Sequence, residues 1–300
     1  MQRPHPLLTR ATMKRVAPAL DPETGRNTAG FLASWQPDSP VVLHVPHAGL
    51  AWPDDQTATP DYQRLVHELT LMADLLTDQV ADMVDAVVGE IGGPTPSRFQ
   101  SRLSRLAMDP ERFDDDTEEM NQVGMGVVYE RAHTGKPLYS TGLPTADTVR
   151  RKALWYQPYS QALSELVTGT LDRHGRCLIL DLHSYPTRPL AHELHKTDER
   201  PEICLGYEEF HNPGIEKVEQ IFAAHGYQTA RNQPYRGSYV PLAYWQRDPA
   251  VTSLMIEVRK DQYLDGADLH PGNALRLATA IAEVIGSVEG QRARSGAIPR

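Results

Sequence analysis

Apolar positions along the chain follow two periods. Val41-Val42-Leu43-His44-Val45 is a short run rich in β-branched residues, ending at Pro46-His47-Ala48-Gly49, and predicts a buried strand. From Asp61 to Val88 the period changes: Leu65, Leu69, Met72, Leu76, Val80, Met83 and Val87 recur at helical spacing. This predicts one long helix, breakable near Thr70 and stopped by Gly92-Gly93-Pro94. A strand is expected over Arg102–Met108, then a polar, Pro- and Gly-rich excursion from Asp109 to Thr145. Excursions of that length belong to working sites more often than to plain connections. A second amphipathic helix is expected over Thr148–His174, closed by Gly175, and then a strand over Cys177–Leu182. The remainder reads as strand 203–207, helix 215–225, short strand 227–232, strand 253–258 and helix 272–285 closed by Gly286. Strands alternating with helices predict an α/β fold with a mostly parallel sheet. With no internal repeat or linker, residues 1–300 are expected to form one domain, with its core over about 36–290 and residues 1–35 and 291–300 peripheral.

Composition narrows the partners. Lys plus Arg total 30 against 39 Asp plus Glu, a net charge of −9, which disfavours a phosphate backbone as ligand. A few local arginines can still capture a small anion. Cys177 and Cys204 are far apart and lie outside any Cys-x-x-Cys, so both are expected to be buried thiols in a reducing, cytoplasmic setting. No run of about 18 apolar residues occurs, so no membrane span is expected.

Three segments place polar chemistry at the carboxyl ends of expected strands: His47 in VVLHVPHAG, Asp181-Leu182-His183-Ser184 in LILDLHSY, and Glu257 in LMIEVRKD. Ligands in open α/β sheets bind outside these strand ends. Two histidines and a carboxylate are the usual protein ligands of a catalytic zinc, and a further carboxylate can act as general base. The plainer alternatives are hydrogen-bonded structural histidines and a Glu257 neutralised by Arg259 or Arg105, because an unpaired buried carboxylate is costly. His44 is read as structural. No Gly-x-Ser-x-Gly elbow, Gly-x-Gly-x-x-Gly or phosphate loop is present, which sets aside serine hydrolases and nucleotide enzymes.

PHAG at 46–49, SRLAMDPER at 104–112, GKPLY at 135–139, WYQPY at 155–159, LDLHS at 180–184 and EVRKDQYLD at 257–265 occur in this order. Together they resemble the successive motifs of N-formylglutamate amidohydrolases. The resemblance implies a zinc carboxypeptidase-like fold, a single domain with a mixed, mostly parallel sheet flanked by helices. It also implies one zinc ion and a small acidic N-acyl amino acid substrate. By this resemblance His47 and His183 are metal ligands and Glu257 the catalytic carboxylate. Carboxypeptidases carry a ligand Glu three residues after the first His, where this chain has Leu50. The resemblance instead implies an acidic pair in the first long helix, matched by Asp74 and Asp78, with Asp74 as ligand and Asp78 behind it. Asp54 and Asp55 are the alternatives. Ser104, Arg105 and Arg112 match the substrate-facing segment, with Arg105 toward the oxyanion, and Arg236 in YRGSY matches a further basic position. Arg suits a carboxylate-bearing substrate through bidentate pairing. The segment reads Asp-Pro-Glu-Arg here where the family usually has Asp-Leu-Asn-Arg.

The expected reaction is hydrolysis of N-formyl-L-glutamate to formate and glutamate. The alternatives are a zinc deacylase or peptidase acting on another N-acyl amino acid or a peptidoglycan fragment, and a metal-free binding or regulatory protein that kept the fold. The sequence carries no signal for oligomeric state.

Overall fold

The structure is a computed structural model, and it describes residues 14–54 and 60–295. Its core is a seven-stranded sheet. In chain order the strands are β1 (Phe31–Ser34), β2 (Val41–Val45), β3 (Ser97–Ser101), β4 (Cys177–Tyr185), β5 (Ile203–Gly206), β6 (Thr229–Arg231) and β7 (Val251–Arg259). Across the sheet the order is β1-β3-β2-β4-β7-β5-β6. The central four, β3, β2, β4 and β7, are parallel. β1 pairs antiparallel with β3 and β5 antiparallel with β7, so the sheet is mixed and mostly parallel, within a single α/β domain.

Strand alternation divides the core in two. Leu43 and Val45 of β2, Leu178, Leu180 and Leu182 of β4, and Leu254, Ile256 and Val258 of β7 face one side. They pack there against α2 (Thr77–Glu90), α5 (Ile215–Ala224) and α6 (Pro271–Ser295). The intervening residues Val42, Cys177, Ile179 and Val251 face the other side and meet Tyr159, Leu163 and Val167. Those three belong to α4 (Gln157–His174), which continues α3 (Thr145–Arg151) through a π-helical turn at Lys152–Tyr156. Gly175, in the left-handed region at φ 67°, closes α4, as Gly does at many helix ends.

Several expectations are corrected. Arg102–Met108 is not a strand: the strand is Ser97–Ser101, and the chain then turns, with Ala51 N–H donating to Arg102 O at 3.1 Å and Ser104 N–H to Ala51 O at 2.9 Å. That crossing explains the glycine of PHAG. A Cβ on Gly49 would lie 2.5 Å from the Arg102 carbonyl carbon, closer than side chains approach backbone. The N-terminal region is less peripheral than expected, since β1 forms an edge of the main sheet and Arg15–Val16 pairs with Trp52–Pro53. The last helix runs through Gly286 to Ser295.

The single helix expected over 61–88 is two, α1 (Tyr62–Met72) and α2, with Ala73–Leu76 between them. Leu76 adopts φ 62°, a left-handed conformation that ends helical propagation and is uncommon for a residue with a Cβ. Asp74 therefore lies in the break and Asp78 in the first turn of α2, rather than both on one helical face.

The long excursion after β3 is packed rather than loose. Trp52, Leu65, Leu69, Leu106, Met125, Tyr129, Leu138 and Tyr139 form a third apolar cluster joining it to α1. Arg151, buried beneath it, donates to Ala107 O at 3.1 Å and to Tyr139 OH at 3.2 Å. Among the described residues, no helix is long and apolar enough to cross a membrane. Cys177 and Cys204 are free and buried, and burial pushes both thiols up to about 12.

Candidate metal centre and active site

The face of the sheet toward α4 changes character at its carboxyl edge. Asp181 and His183 are two apart on β4, so they share a face, and parallel register sets His183 beside Glu257 of β7 and Asp181 beside His44 of β2. His47 follows β2 after Pro46, and its carbonyl accepts the Asp74 N–H at 3.0 Å. Strand register and this one backbone bond thus gather His47, Asp74, His183 and Glu257 from positions far apart in the chain. All four are buried.

The imidazoles of His47 and His183 face each other through Nδ1, 3.2 Å apart. Asp74 Oδ2 lies 3.1 Å from His183 Nδ1 and 3.6 Å from His47 Nδ1. The other ring nitrogen of each is met by carboxylates. His47 Nε2 is 2.9 Å from Asp109 Oδ1. His183 Nε2 is 3.1 Å from Asp181 Oδ1 and 3.3 Å from Glu111 Oε2, although neither contact has hydrogen-bond alignment. Carboxylates on the Nε2 side favour the proton there and leave the Nδ1 lone pairs to converge with Asp74, the usual outer arrangement behind a metal-bound histidine.

Three acceptors pointing at one place require a positive charge between them, either a proton or a metal cation. Ligands at about 2.0–2.1 Å from a tetrahedral zinc are about 3.4 Å from one another, and the three atoms here stand 3.1, 3.2 and 3.6 Å apart. The residues present therefore fit a divalent cation. A second grouping, His47, His183 and Glu111 on the Nε2 side, also has donor atoms close enough for a cation. There, however, His47 Nε2 is already engaged by Asp109. A third, His44 with Glu111 and Asp181, is satisfied without metal: His44 Nδ1 is 2.9 Å from Asp181 Oδ1 and Nε2 is 2.6 Å from Tyr159 OH. This matches the structural reading of His44.

Electrostatics show the same preference for positive charge between the rings. Burial pushes the His47 and His183 imidazoles down, but the surrounding carboxylates outweigh it, Asp109 and Asp74 at His47 and Glu111 and Asp181 at His183. Both end above the usual histidine range. Burial would raise Asp74 and Asp109, yet the neighbouring imidazoles at Asp74, and Arg105, His47 and Arg112 at Asp109, hold both below the usual carboxylate range. Glu257 is the exception. Burial dominates and pushes its carboxyl up to about 7, and Oε2 has no hydrogen-bond partner. Arg259 does not neutralise it, since that guanidinium pairs with Asp261 at 2.7 Å. A carboxylate that exchanges its proton near neutrality suits a general base.

The excursion supplies the cationic wall. Arg105 Nη2 donates to Asp109 Oδ2 at 2.9 Å, Tyr129 OH donates to the same oxygen at 2.8 Å, and Arg112 Nε is 3.5 Å from it. Asp109 therefore orients His47 with one oxygen and both arginines with the other. His192 lies near enough to these arginines to be depressed to about 3, by burial first and then by Arg105 and Arg112.

The sequence profile of the N-formylglutamate amidohydrolase family matches residues 39–264. The chain belongs to the N-formylglutamate amidohydrolase family. Its fold is similar to that of N-formylglutamate amidohydrolase from Ralstonia eutropha JMP134, with a TM-score of 0.71 and 26% identity over 88% of this chain and 99% of that one. A gene product of Agrobacterium tumefaciens shares the fold at TM-score 0.54 and 14% identity, over 91% of this chain and 98% of that one. No curated protein matches the chain.

Against the family's motifs, the structure brings together His47, Asp74, His183 and Glu257, with Arg105 and Arg112 alongside. It does not bring in the remaining candidates. Ser104 is buried, but its Oγ accepts the Leu106 N–H at 3.2 Å and shapes the turn. Arg236 is exposed. Asp78 accepts the Gln79 N–H at 3.0 Å at the start of α2, and Asp54 pairs with Arg15 at the surface. Asp55 lies outside the described residues. Sequence reading gave Asp109, Glu111 and Tyr129 no part in the cluster and named Asp181 only within its segment, without a role. Asp181 was findable, because it stands two residues before His183 on one strand and so must share its face.

Proposed function

We propose that the protein is a metal-dependent amidohydrolase that cleaves N-formyl-L-glutamate or a close N-acyl amino acid. The observation that carries this reading is the triangle of His47 Nδ1, His183 Nδ1 and Asp74 Oδ2 beside Glu257, whose buried Oε2 has no hydrogen-bond partner, in a chain of this family.

In this reading His47, His183 and Asp74 hold one divalent ion, zinc by resemblance. When bound, that ion supplies Lewis acidity, acidifying a water and polarising an amide carbonyl. Glu257 takes the proton of the attacking water and delivers it to the departing amine nitrogen, returning to its carboxylate form. Arg105 donates to the oxygen that gains charge as the carbonyl is attacked. Asp109 and Tyr129 hold that guanidinium in place. Arg112 and the edge of the cationic wall bind the substrate carboxylate.

The test is hydrolysis of N-formyl-L-glutamate by protein stripped with a chelator and then titrated with zinc. Turnover that rises in proportion to bound zinc and saturates near one equivalent supports the reading. Stoichiometric zinc without turnover of any N-acyl amino acid would refute it, and absence of zinc binding would favour the metal-free binding protein. One observation favours a second substrate: Glu111 stands in the Asp-Pro-Glu-Arg segment with a buried Oε1 that has no hydrogen-bond partner. An acceptor there suits a substrate presenting a donor, such as another N-acyl amino acid with an amide or amino side chain. A panel in which such compounds outperform N-formyl-L-glutamate would select that reading.

A further inference from the structure

The proposed ligand Asp74 lies in a four-residue break between helices. A break ordinarily leaves carbonyls to water, yet those around Asp74 are captured from within the protein. Lys260 Nζ donates to Leu71 O at 3.0 Å and to Ala73 O at 2.7 Å. Tyr263 OH donates to Leu75 O at 2.6 Å. Thr77 Oγ1 donates to Asp74 O at 2.8 Å, and Asp74 N–H donates to His47 O at 3.0 Å. Lys260 and Tyr263 are both buried and stand three and six residues beyond Glu257 in the EVRKDQY segment. An ammonium buried on two carbonyls costs desolvation, and that burial pulls Lys260 down to about 8. The left-handed Leu76 ends the captured stretch, and a strained residue persists only where its surroundings over-determine it.

We propose that Lys260 and Tyr263 are positioning residues that clamp the Ala73–Leu76 break and aim the Asp74 carboxylate at the two imidazoles. The chain lacks an acidic ligand close behind His47 and recruits one from between two helices. The segment that delivers Glu257 then fixes that ligand by its backbone. General base and third ligand are thereby tied to one strand end, so their separation does not depend on the interhelical turn alone. This inference rests on the reading of Asp74 as a ligand.

The experiment measures zinc affinity by competition with a chromophoric chelator, together with the visible spectrum of the cobalt-loaded protein. The proteins compared are wild type, Asp74→Asn, Lys260→Met and Tyr263→Phe, each checked for folding by circular dichroism and thermal melting without metal. Asp74→Asn should weaken zinc binding by at least about 100-fold. Lys260→Met should weaken it by about 10- to 100-fold, the range for residues that orient ligands, and should alter the cobalt spectrum. Tyr263→Phe removes one hydroxyl and keeps the ring, so a loss of about 3- to 10-fold is expected within the same mechanism. If Asp74→Asn leaves affinity unchanged, the ligand reading itself fails. If Asp74→Asn weakens binding while folded Lys260→Met and Tyr263→Phe keep wild-type affinity and cobalt spectrum, the clamp is overturned. Should Lys260→Met not fold, Tyr263→Phe alone decides.

Discussion

The two faces of β4 are built from one nine-residue segment and do opposite work. Leu178, Leu180 and Leu182 point into a dry layer against α2 and α6. Asp181 and His183 point to the other side, where each polar atom must find a charge or a donor. The first face is interchangeable chemistry, in which area and shape set the energy. The second is a charge balance. Asp74, Asp109, Glu111 and Asp181 face Arg105, Arg112, Lys260 and two imidazoles that these carboxylates hold above the usual histidine range, so positive charge, as protons or as a cation, is needed between the rings. The difference teaches that stability and function can be separated on a single strand by parity alone.

That separation can be broken most sharply at Glu257. Replacing Glu257 by Gln should cut kcat by about 10²- to 10⁴-fold, the usual worth of a general base, with zinc content by mass spectrometry unchanged. Near-wild-type turnover in the loaded variant would remove Glu257 from the mechanism. On the opposite face, Leu180→Ala should lose about 2–5 kcal/mol of unfolding free energy in denaturant titration. Its zinc affinity should remain near that of the wild type, and a parallel loss of affinity would show that the two faces are not independent.

The charge-balanced face should also make the metal-free protein sensitive to pH. In the folded protein Glu257 keeps its proton up to about 7, whereas an unfolded glutamate ionises near 4.3. Its contribution is therefore fully present below the unfolded value and is lost as pH rises through about 7. Its size is at most about 4 kcal/mol, at 1.36 kcal/mol per unit. The melting temperature of metal-free Glu257→Gln should lack this part of the decline between pH 5 and 8. Identical profiles for the two proteins would contradict the burial of an unpaired acid.

A smaller effect is expected at Asp109, which the sequence reading overlooked. Asp109→Asn should weaken zinc binding by about 10- to 100-fold and raise KM, because the same side chain orients His47 and the two arginines. A change in KM with no change in metal affinity would confine its role to the arginines.

Much of this arrangement was legible beforehand. The strand over 41–45, the strand beginning at Cys177 and the strand holding Glu257 were each marked by apolar runs, and three of the clustered residues sit at their ends. The helix break was located near Thr70 but falls at 73–76, because helical periodicity continues through Leu76 even though its backbone does not. Arg102–Met108 looked like a strand because its apolar residues are buried on two sides, Leu106 and Ala107 in the cluster with α1 and Leu103 and Met108 in the layer against α4, neighbours invisible in local pattern.

What the sequence alone determined is periodic or covalent: strand parity placing Asp181 with His183, the glycine of PHAG, and the motif order that signals the family. What the tertiary structure decided is which distant groups meet. Asp74 lies beside the imidazoles where its N–H meets His47 O, and Lys260 and Tyr263, nearly two hundred residues away in the chain, hold the flanking carbonyls of Ala73 and Leu75. Asp109 outranks its acidic neighbours only because it is buried against His47. Local sequence sets a residue's own conformational preferences, whereas the field that gives a carboxylate its role comes from charges the chain brings near only by folding.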